Sequence, residues 1–125
     1  MRAIVVSSFG GPEVMQLCDV PEPSSPGPGE VLVKIGAAGV NFSDTERRRG
    51  TYSPPSLPWI PGREAAGVVV AAGLGVDTAL VGTRVAHFSP RASGNYAELS
   101  SLPASALFRF DAELPFDVMA ALPLQ

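Results

Sequence analysis

Short apolar segments alternate with segments rich in proline and glycine, and this limits how the chain can fold. The 125 residues include 13 prolines and 13 glycines. Proline fixes φ and removes a backbone donor, so long helices and central strands cannot cross these segments. Val20–Gly29, with four prolines and two glycines, is therefore predicted to cross the surface in an irregular conformation.

The apolar segments have the length and composition of strands, and the last apolar segment, which starts near a proline, favours a helix. About seven short strands with little helix predict one mainly β domain over residues 1–125, a mostly antiparallel barrel or sandwich. The predicted strands are Ala3–Ser8, Val14–Asp19, Val31–Ile35, Gly67–Ala72, Thr83–Phe88, Asn95–Ser100 and Ala106–Phe110, and the predicted helix is Pro115–Leu122.

One long connection, Gly36–Gly67, carries most of the side chains that can do chemistry. Polar groups concentrated between two strands indicate a site carried on a scaffold. Within it, Ser43 and Glu46 fit a capping box, and Gly50 is predicted to end the short helix. Four prolines between Tyr52 and Gly62 predict a stiff, extended arch beside that helix.

Composition and charge exclude several classes of protein. The net charge is −3, and apart from Arg47–Arg49 the basic residues form no stripe, so nucleic-acid binding is not supported. We interpret these three arginines as a solvated helix end rather than a phosphate site. No apolar run is long enough to span a membrane. The single cysteine, Cys18, excludes an internal disulfide and favours a reducing compartment, so we expect a cytoplasmic protein. We also expect a bacterial protein.

Seven short motifs follow one another along the whole chain and together point to one family. They are FGGPEV (Phe9–Val14), AAGVNFSD (Ala37–Asp44), RRGTY (Arg48–Tyr52), PGREAAGVV (Pro61–Val69), GTRV (Gly82–Val85), GNYAEL (Gly94–Leu99) and AALPLQ (Ala120–Gln125). With them, the chain resembles the N-terminal, GroES-like catalytic domain of the medium-chain dehydrogenase/reductase superfamily, in its zinc-independent, zeta-crystallin-like quinone oxidoreductase branch. The resemblance implies a partly open antiparallel β-barrel with short helices, without the Rossmann domain.

The resemblance also implies an activity. In this family a Rossmann domain binds NADPH, while the GroES-like barrel covers the nicotinamide and shapes the pocket in which a quinone or enone accepts hydride. By this resemblance, Asn41, Asp44 and Tyr52 are the predicted catalytic residues. The predicted substrate-facing or cofactor-facing residues are Phe42, Glu46 and Arg63.

Each of these residues also has a purely structural explanation. Asn41 can satisfy loop backbone, Asp44 suits the first turn of a helix, and Tyr52 can be an aromatic residue at the edge of the core. Glu64 can pair with Arg63 or Arg84 inside the barrel. The sequence leaves these alternatives open.

Differences from the pattern of relatives bear on metal binding. Asn41 and Arg63 stand where zinc-dependent relatives carry cysteine and histidine, and neither residue type is a credible zinc ligand, so no zinc is expected. His87, the only histidine, is expected to be packed or at the surface rather than a ligand.

Other differences bear on the pocket. Arg63 is expected either to narrow it or to bind an anionic group of cofactor or substrate. Glu46 replaces a tyrosine that often lines the quinone site in relatives. Thr83 replaces an aspartate, which deprives Arg84 of a charged partner.

The chain contains no glycine-rich G-x-G-x-x-G loop, so it lacks the cradle that holds a dinucleotide pyrophosphate. We therefore expect that NADP(H) is not bound by this chain alone and that a Rossmann domain is supplied in cis or in trans. Ending at AALPLQ, the chain is predicted to be either a fragment or a stand-alone half. Its high apolar content predicts an open face covered by a second copy, hence a homo-oligomer, or by another protein.

Two alternatives to a reductase part stay open. One is a stand-alone barrel that acts as a small-molecule binding protein or as a cofactor-independent cyclase or isomerase. The other is a structural partner that completes a separate Rossmann protein. Neither nucleic acid nor a membrane is an expected partner.

Overall fold

The structure, a computed structural model, describes residues 1–89, 94–110 and 114–124. Within these ranges the chain is mainly β, with seven strands, two α-helices and three short 3₁₀ turns. The strands are β1 (Arg2–Val6), β2 (Met15–Asp19), β3 (Glu30–Ala38), β4 (Glu64–Ala72), β5 (Arg84–Phe88), β6 (Leu99–Pro103) and β7 (Leu107–Phe108), and the helices are α1 (Phe42–Arg49) and α2 (Phe116–Ala120).

All strand pairs are antiparallel, and they form two sheets. Strands β1 and β2 form a hairpin, and the other five follow the order β6-β3-β4-β5-β7. Single bridges from Ala3 to Ala97 and from Val6 to Trp59 join the hairpin to the rest. The result is a curled, partly open barrel, which confirms the predicted fold class.

The core lies on the inner face of the five-stranded sheet. Its centre is a group of fully or almost fully buried aliphatic side chains: Val31, Val33, Val69, Val85 and Leu102. Most are β-branched residues, which pack well on a pleated surface. Each predicted strand overlaps an observed one, although the ends differ.

A second cluster fixes α2 against the sheet. Ala66 and Ala86 are small enough for Met119 and Ala120 to pack directly on strands β4 and β5. Gly36 has the same role, because a Cβ at that position would lie 2.5 Å from the Phe116 ring. Helix α2 is shorter than the predicted Pro115–Leu122, and Pro115 is its N-cap.

Several boundaries shift because pairing between strands decides them. Strands β3 and β4 pair through Ala37 with Ala66 and Ala38 with Ala65, so both extend into the predicted connection Gly36–Gly67. The strand predicted over Asn95–Ser100 is instead β6, starting at Leu99. Before it, Asn95 is buried and turns towards His87.

Other regions bear on the remaining predictions. Cys18 lies half-buried in β2 as a free thiol. Neither described helix has the length and apolar character needed to cross a membrane. Positions 90–93 of the predicted SPRASG loop lie outside the described residues. The last residue of the AALPLQ motif also lies outside them.

Candidate functional site

Helix α1 starts at a capping arrangement different from the predicted one. Asn41 is the N-cap, the last residue with extended φ and ψ, and the Asp44 carboxylate accepts a hydrogen bond from its backbone N–H at 3.1 Å. The box predicted from Ser43 and Glu46 is therefore wrong, because the chain already turns helical at Phe42. The hydroxyl of Ser43 instead accepts a hydrogen bond from the Arg63 guanidinium at 3.2 Å.

The end of α1 is as predicted, with three arginines in the last turn and Gly50 at φ 78°. The interpretation of these arginines as solvated is correct only for Arg49, which is exposed and pairs with Glu46 at 3.0 Å. Arg48 is buried and donates to the Gly10 carbonyl at 3.2 Å. The guanidinium of Arg47 lies 5.4 Å from the centre of the Trp59 ring.

Asp44 lies on the buried side of α1. Only 5% of the residue is exposed, and its Oδ2 is 3.3 Å from the Tyr96 hydroxyl. Burial raises the pKa of Asp44, although hydrogen bonds from Asn41 and Tyr96 oppose the rise. Burial and the neighbouring Asp44 charge raise the pKa of Tyr96, so its hydroxyl keeps its proton and serves as a donor. Tyr96 was missed as a site residue, although its motif GNYAEL was recognised.

Asn41 is held by its side chain as well as by its backbone. Its Nδ2 donates to Glu64 Oε1 at 2.9 Å. The second oxygen of this buried carboxylate accepts from the backbone N–H of Leu124, also at 2.9 Å. Glu64 thus connects the loop before α1 to the residues after α2, a role that the sequence analysis missed.

The suggested pairing of Glu64 with Arg63 or Arg84 is wrong. The Glu64 carboxylate is instead bonded to Asn41 and Leu124. Arg63 contacts Ser43 and lies 5.1 Å from the Phe88 ring centre. Arg84 donates to the Leu114 carbonyl and lies 4.4 Å from the Phe116 ring centre, so its described partners are uncharged.

A cleft of about 430 Å³ opens on the outer side of α1. Phe42 and Tyr52 are its aromatic walls, and they are 78% and 57% exposed. Arg63 supplies a positive charge. The negative charge of Glu46 is already engaged, since hydrogen bonds from Thr51 and Arg49 lower its pKa. The residues that line this outer cleft are Phe42, Ser43, Glu46, Thr51, Tyr52 and Arg63.

The predicted site residues are therefore only partly brought together. Phe42, Glu46, Tyr52 and Arg63 share the outer cleft. Asp44 instead lines a separate pocket of about 130 Å³, beside Tyr96. The Asn41 amide is directed at the buried Glu64.

The donor chemistry of the described residues bears on metal binding. Within residues 1–89, 94–110 and 114–124, no three His, Cys, Asp or Glu side chains are grouped so that they could hold a metal ion. His87 is completely buried, and its Nε2 lies 2.9 Å from Asn95 Oδ1. Burial lowers the pKa of His87, so it is a neutral, packed histidine.

Comparison with known proteins places this geometry in a family. Residues 27–111 match the family model described as "Alcohol dehydrogenase GroES-like domain", which is more than half of the chain. The chain belongs to this GroES-like family of the medium-chain dehydrogenase/reductase superfamily. The resemblance read from the motifs is confirmed.

Relatives of this GroES-like chain include quinone oxidoreductases. It is 44% identical over 124 residues to the quinone oxidoreductase of Lama guanicoe, covering 98% of this chain and 37% of that protein. It is 39% identical over 124 residues to the synaptic vesicle membrane protein VAT-1 homolog of Rattus norvegicus, covering 98% of this chain and 30% of that protein. The chain thus spans about a third of the length of the curated relatives it matches.

A solved structure has the same fold. The Escherichia coli quinone oxidoreductase complexed with NADPH superimposes with a TM-score of 0.88 at 37% identity. The match covers 98% of this chain and 37% of that one. The GroES-like chain therefore corresponds to one part of a longer enzyme in this comparison.

Proposed function

We propose that this chain forms the substrate-pocket part, one GroES-like domain over residues 1–125, of a zinc-independent, NADPH-dependent quinone or enone oxidoreductase. The observation that carries the proposal is the outer cleft, which is lined by two exposed aromatic rings and by the guanidinium of Arg63, bonded to Ser43. Flat faces suit a planar quinone, and the cation suits the oxygen on which negative charge develops. Quinone oxidoreductases among the relatives support this substrate class.

The described residues fit one end of the cofactor. Phe42 and Tyr52 offer aromatic faces against which a nicotinamide ring can lie. No G-x-G-x-x-G loop occurs in the chain, so a Rossmann domain, in cis as in the longer relatives, would hold the pyrophosphate. When bound, NADPH supplies the hydride.

Arg63 is proposed to orient and polarise the substrate. Its guanidinium is held by the Ser43 hydroxyl and the Phe88 ring, so little reorganisation is needed when a carbonyl oxygen gains charge. Tyr52 lines the same cleft and carries a hydroxyl that can donate a hydrogen bond to the substrate. Glu46 lines the cleft with its charge already compensated.

Asn41 and Asp44 are proposed to act together at the start of α1. The Asp44 carboxylate fixes the Asn41 backbone directly before Phe42 and Ser43, which line the cleft. Zinc is not part of the proposal, because an amide and a guanidinium replace the cysteine and histidine ligands of zinc-dependent relatives. We also infer a cytoplasmic enzyme that forms homo-oligomers. Its bacterial origin remains a prediction, since the relatives include mammalian proteins.

The test is to purify the natural protein that contains this chain and assay oxidation of NADPH and of NADH with 1,4-benzoquinone and with an α,β-unsaturated ketone. We expect the protein to reduce at least one acceptor with NADPH. This activity should persist after treatment with a strong zinc chelator. Absence of reduction with every acceptor would overturn the reductase assignment. Loss of activity with the chelator would overturn zinc-independence alone.

A second candidate is a small-molecule binding protein or a cofactor-independent cyclase or isomerase, favoured by the outer cleft that residues of this chain line. Calorimetric titration of the 125-residue chain with quinone and with NADPH separates the two. Tight quinone binding together with an inactive natural protein would support the binding role. Tight binding of NADPH by the chain alone would contradict the need for a separate nucleotide-binding domain.

A further inference from the structure

The Glu64 carboxylate is buried, yet each of its oxygens has one donor. Oε1 accepts from the Asn41 side-chain amide, and Oε2 accepts from the Leu124 backbone N–H, both at 2.9 Å. The residue is only 2% exposed. A buried carboxylate without such donors would be costly, so both bonds are energetically important.

The chemistry of the three groups fixes the orientation of Asn41. Both bonds run towards the carboxylate, since the Asn41 amide nitrogen and the Leu124 backbone N–H are donors. The Asn41 amide therefore presents its nitrogen to Glu64, which directs its oxygen away from the carboxylate. Gly39 leaves room for this arrangement, because a Cβ there would lie 2.4 Å from Glu64 Oε1.

The other end of the connection is the post-α2 segment, residues 121–124. Helix α2, which leads into it, is held on the sheet by Arg84, whose guanidinium lies over the Phe116 ring and donates to the Leu114 carbonyl. Gly36 also packs against the Phe116 ring, where a Cβ would lie 2.5 Å from a ring carbon. The position of the segment is thus set by α2. Glu64 is linked to the segment by the hydrogen bond from the Leu124 backbone N–H.

We propose that Glu64 is a positioning residue that couples the orientation of the Asn41 amide to the position of the post-α2 segment. This inference rests on the proposed function for its catalytic consequence, since Asn41 directly precedes Phe42 and Ser43, which line the proposed substrate cleft. In the longer enzyme the chain beyond α2 would lead to the nucleotide-binding domain. A shift of that domain would then change the orientation of the Asn41 amide relative to cofactor and substrate.

Glu64→Gln tests the coupling with almost no change in shape. An amide has one acceptor oxygen, so the substituted side chain can keep only one of the two bonds and must break or invert the other. In ¹H–¹⁵N correlation spectra of the 125-residue chain, we expect the Asn41 side-chain and Leu124 backbone signals to move together. We also expect faster hydrogen exchange at Leu124.

Glu98→Gln is the matched control. It makes the same chemical change in an exposed carboxylate that pairs with Arg2 and has no described bond to Asn41 or Leu124. Both signals should stay in place in this variant. A folded Glu64→Gln chain in which neither signal moves would overturn the proposal.

Asn41→Ala tests the coupling from the other end and covers the case in which Glu64→Gln does not fold. It removes the donor to Oε1 and leaves Glu64 itself intact. We expect the Leu124 amide signal to shift, because the carboxylate is free to turn. An unchanged Leu124 signal would show that the two ends are independent, which contradicts the proposal.

The catalytic consequence is tested in the natural protein. Glu64→Gln should lower kcat by about tenfold to a hundredfold, as expected for a misplaced group, with a smaller effect on KM. When Glu64→Gln is combined with Asn41→Ala, it should lower kcat little further, because both changes remove the same positioned amide. Independent, multiplying losses would refute a shared role. An inactive natural protein would refute the proposed function, while the spectra would still decide the coupling.

Discussion

The Tyr96 hydroxyl lies 3.3 Å from Asp44 Oδ2, although the two residues are 52 positions apart. This contact joins the segment before β6 to the first turn of α1. The same carboxylate holds the backbone N–H of Asn41. Tyr96 therefore supports the start of the helix that carries Phe42 and Ser43 into the outer cleft.

Tyr96→Phe should lower the free energy of unfolding by about 1 kcal/mol, because the buried Asp44 loses a donor that it cannot replace from water. Urea unfolding of the chain measures the change. Tyr52→Phe is the control, since Tyr52 is 57% exposed, and its effect should stay within about 0.5 kcal/mol. Equal effects of the two variants would contradict the assigned contact.

His87 should make the chain less stable in mild acid. Its folded pKa is lowered by burial below the ordinary value of 6.5, so the unfolded chain takes up a proton first as the pH falls. The stabilisation is present above about pH 6.5 and is lost as the pH falls towards the folded pKa.

Urea midpoints measured from pH 7.5 to pH 5 check this expectation. His87→Gln should show a weaker dependence over the same range, because the chain contains no other histidine. Parallel curves for the two proteins would show that His87 is not the responsible group.

Gly39→Ala should destabilise the chain by about 1–3 kcal/mol, the usual cost of forcing an extra methyl group into a packed site. The new Cβ would lie 2.4 Å from Glu64 Oε1 and displace that carboxylate. Gly27→Ala is the matched control, since its Cβ would come no nearer than 3.3 Å to a side-chain oxygen of Glu30. Thermal unfolding compares the two, and a larger loss in Gly27→Ala would contradict the packing argument.

Arg63→Gln should lower kcat/KM for quinone reduction by the natural protein by about tenfold or more, because a charged donor next to the developing oxyanion is lost. Arg63→Lys should not restore it fully, since lysine cannot reproduce the planar guanidinium that bonds Ser43 and lies over Phe88. Arg2→Gln removes a charge from an exposed pair with Glu98 and is the control. Unchanged kinetics in Arg63→Gln would remove Arg63 from the proposed mechanism.

The order of strands and turns was readable from local patterns. Apolar runs such as Val31–Ile35, which lies between glycines, predict strands because their β-branched residues prefer extended backbone and burial on one face. The end of α1 was equally local, since Gly50 supplies the left-handed conformation at φ 78°. The start of α1 was not, because Ser43 and Asn41 are both good caps and the path out of β3 selects Asn41.

The sequence by itself determined a mainly β chain, a polar connection between β3 and β4, and a family that the comparisons confirm. Only the tertiary structure decided which polar groups meet: Glu64 with Asn41 and Leu124, and Asp44 with Tyr96. Strand propensity and turn chemistry act between near neighbours, whereas these contacts join residues 23 to 60 positions apart. Their partners are selected by how sheet and helices pack, which no local pattern specifies.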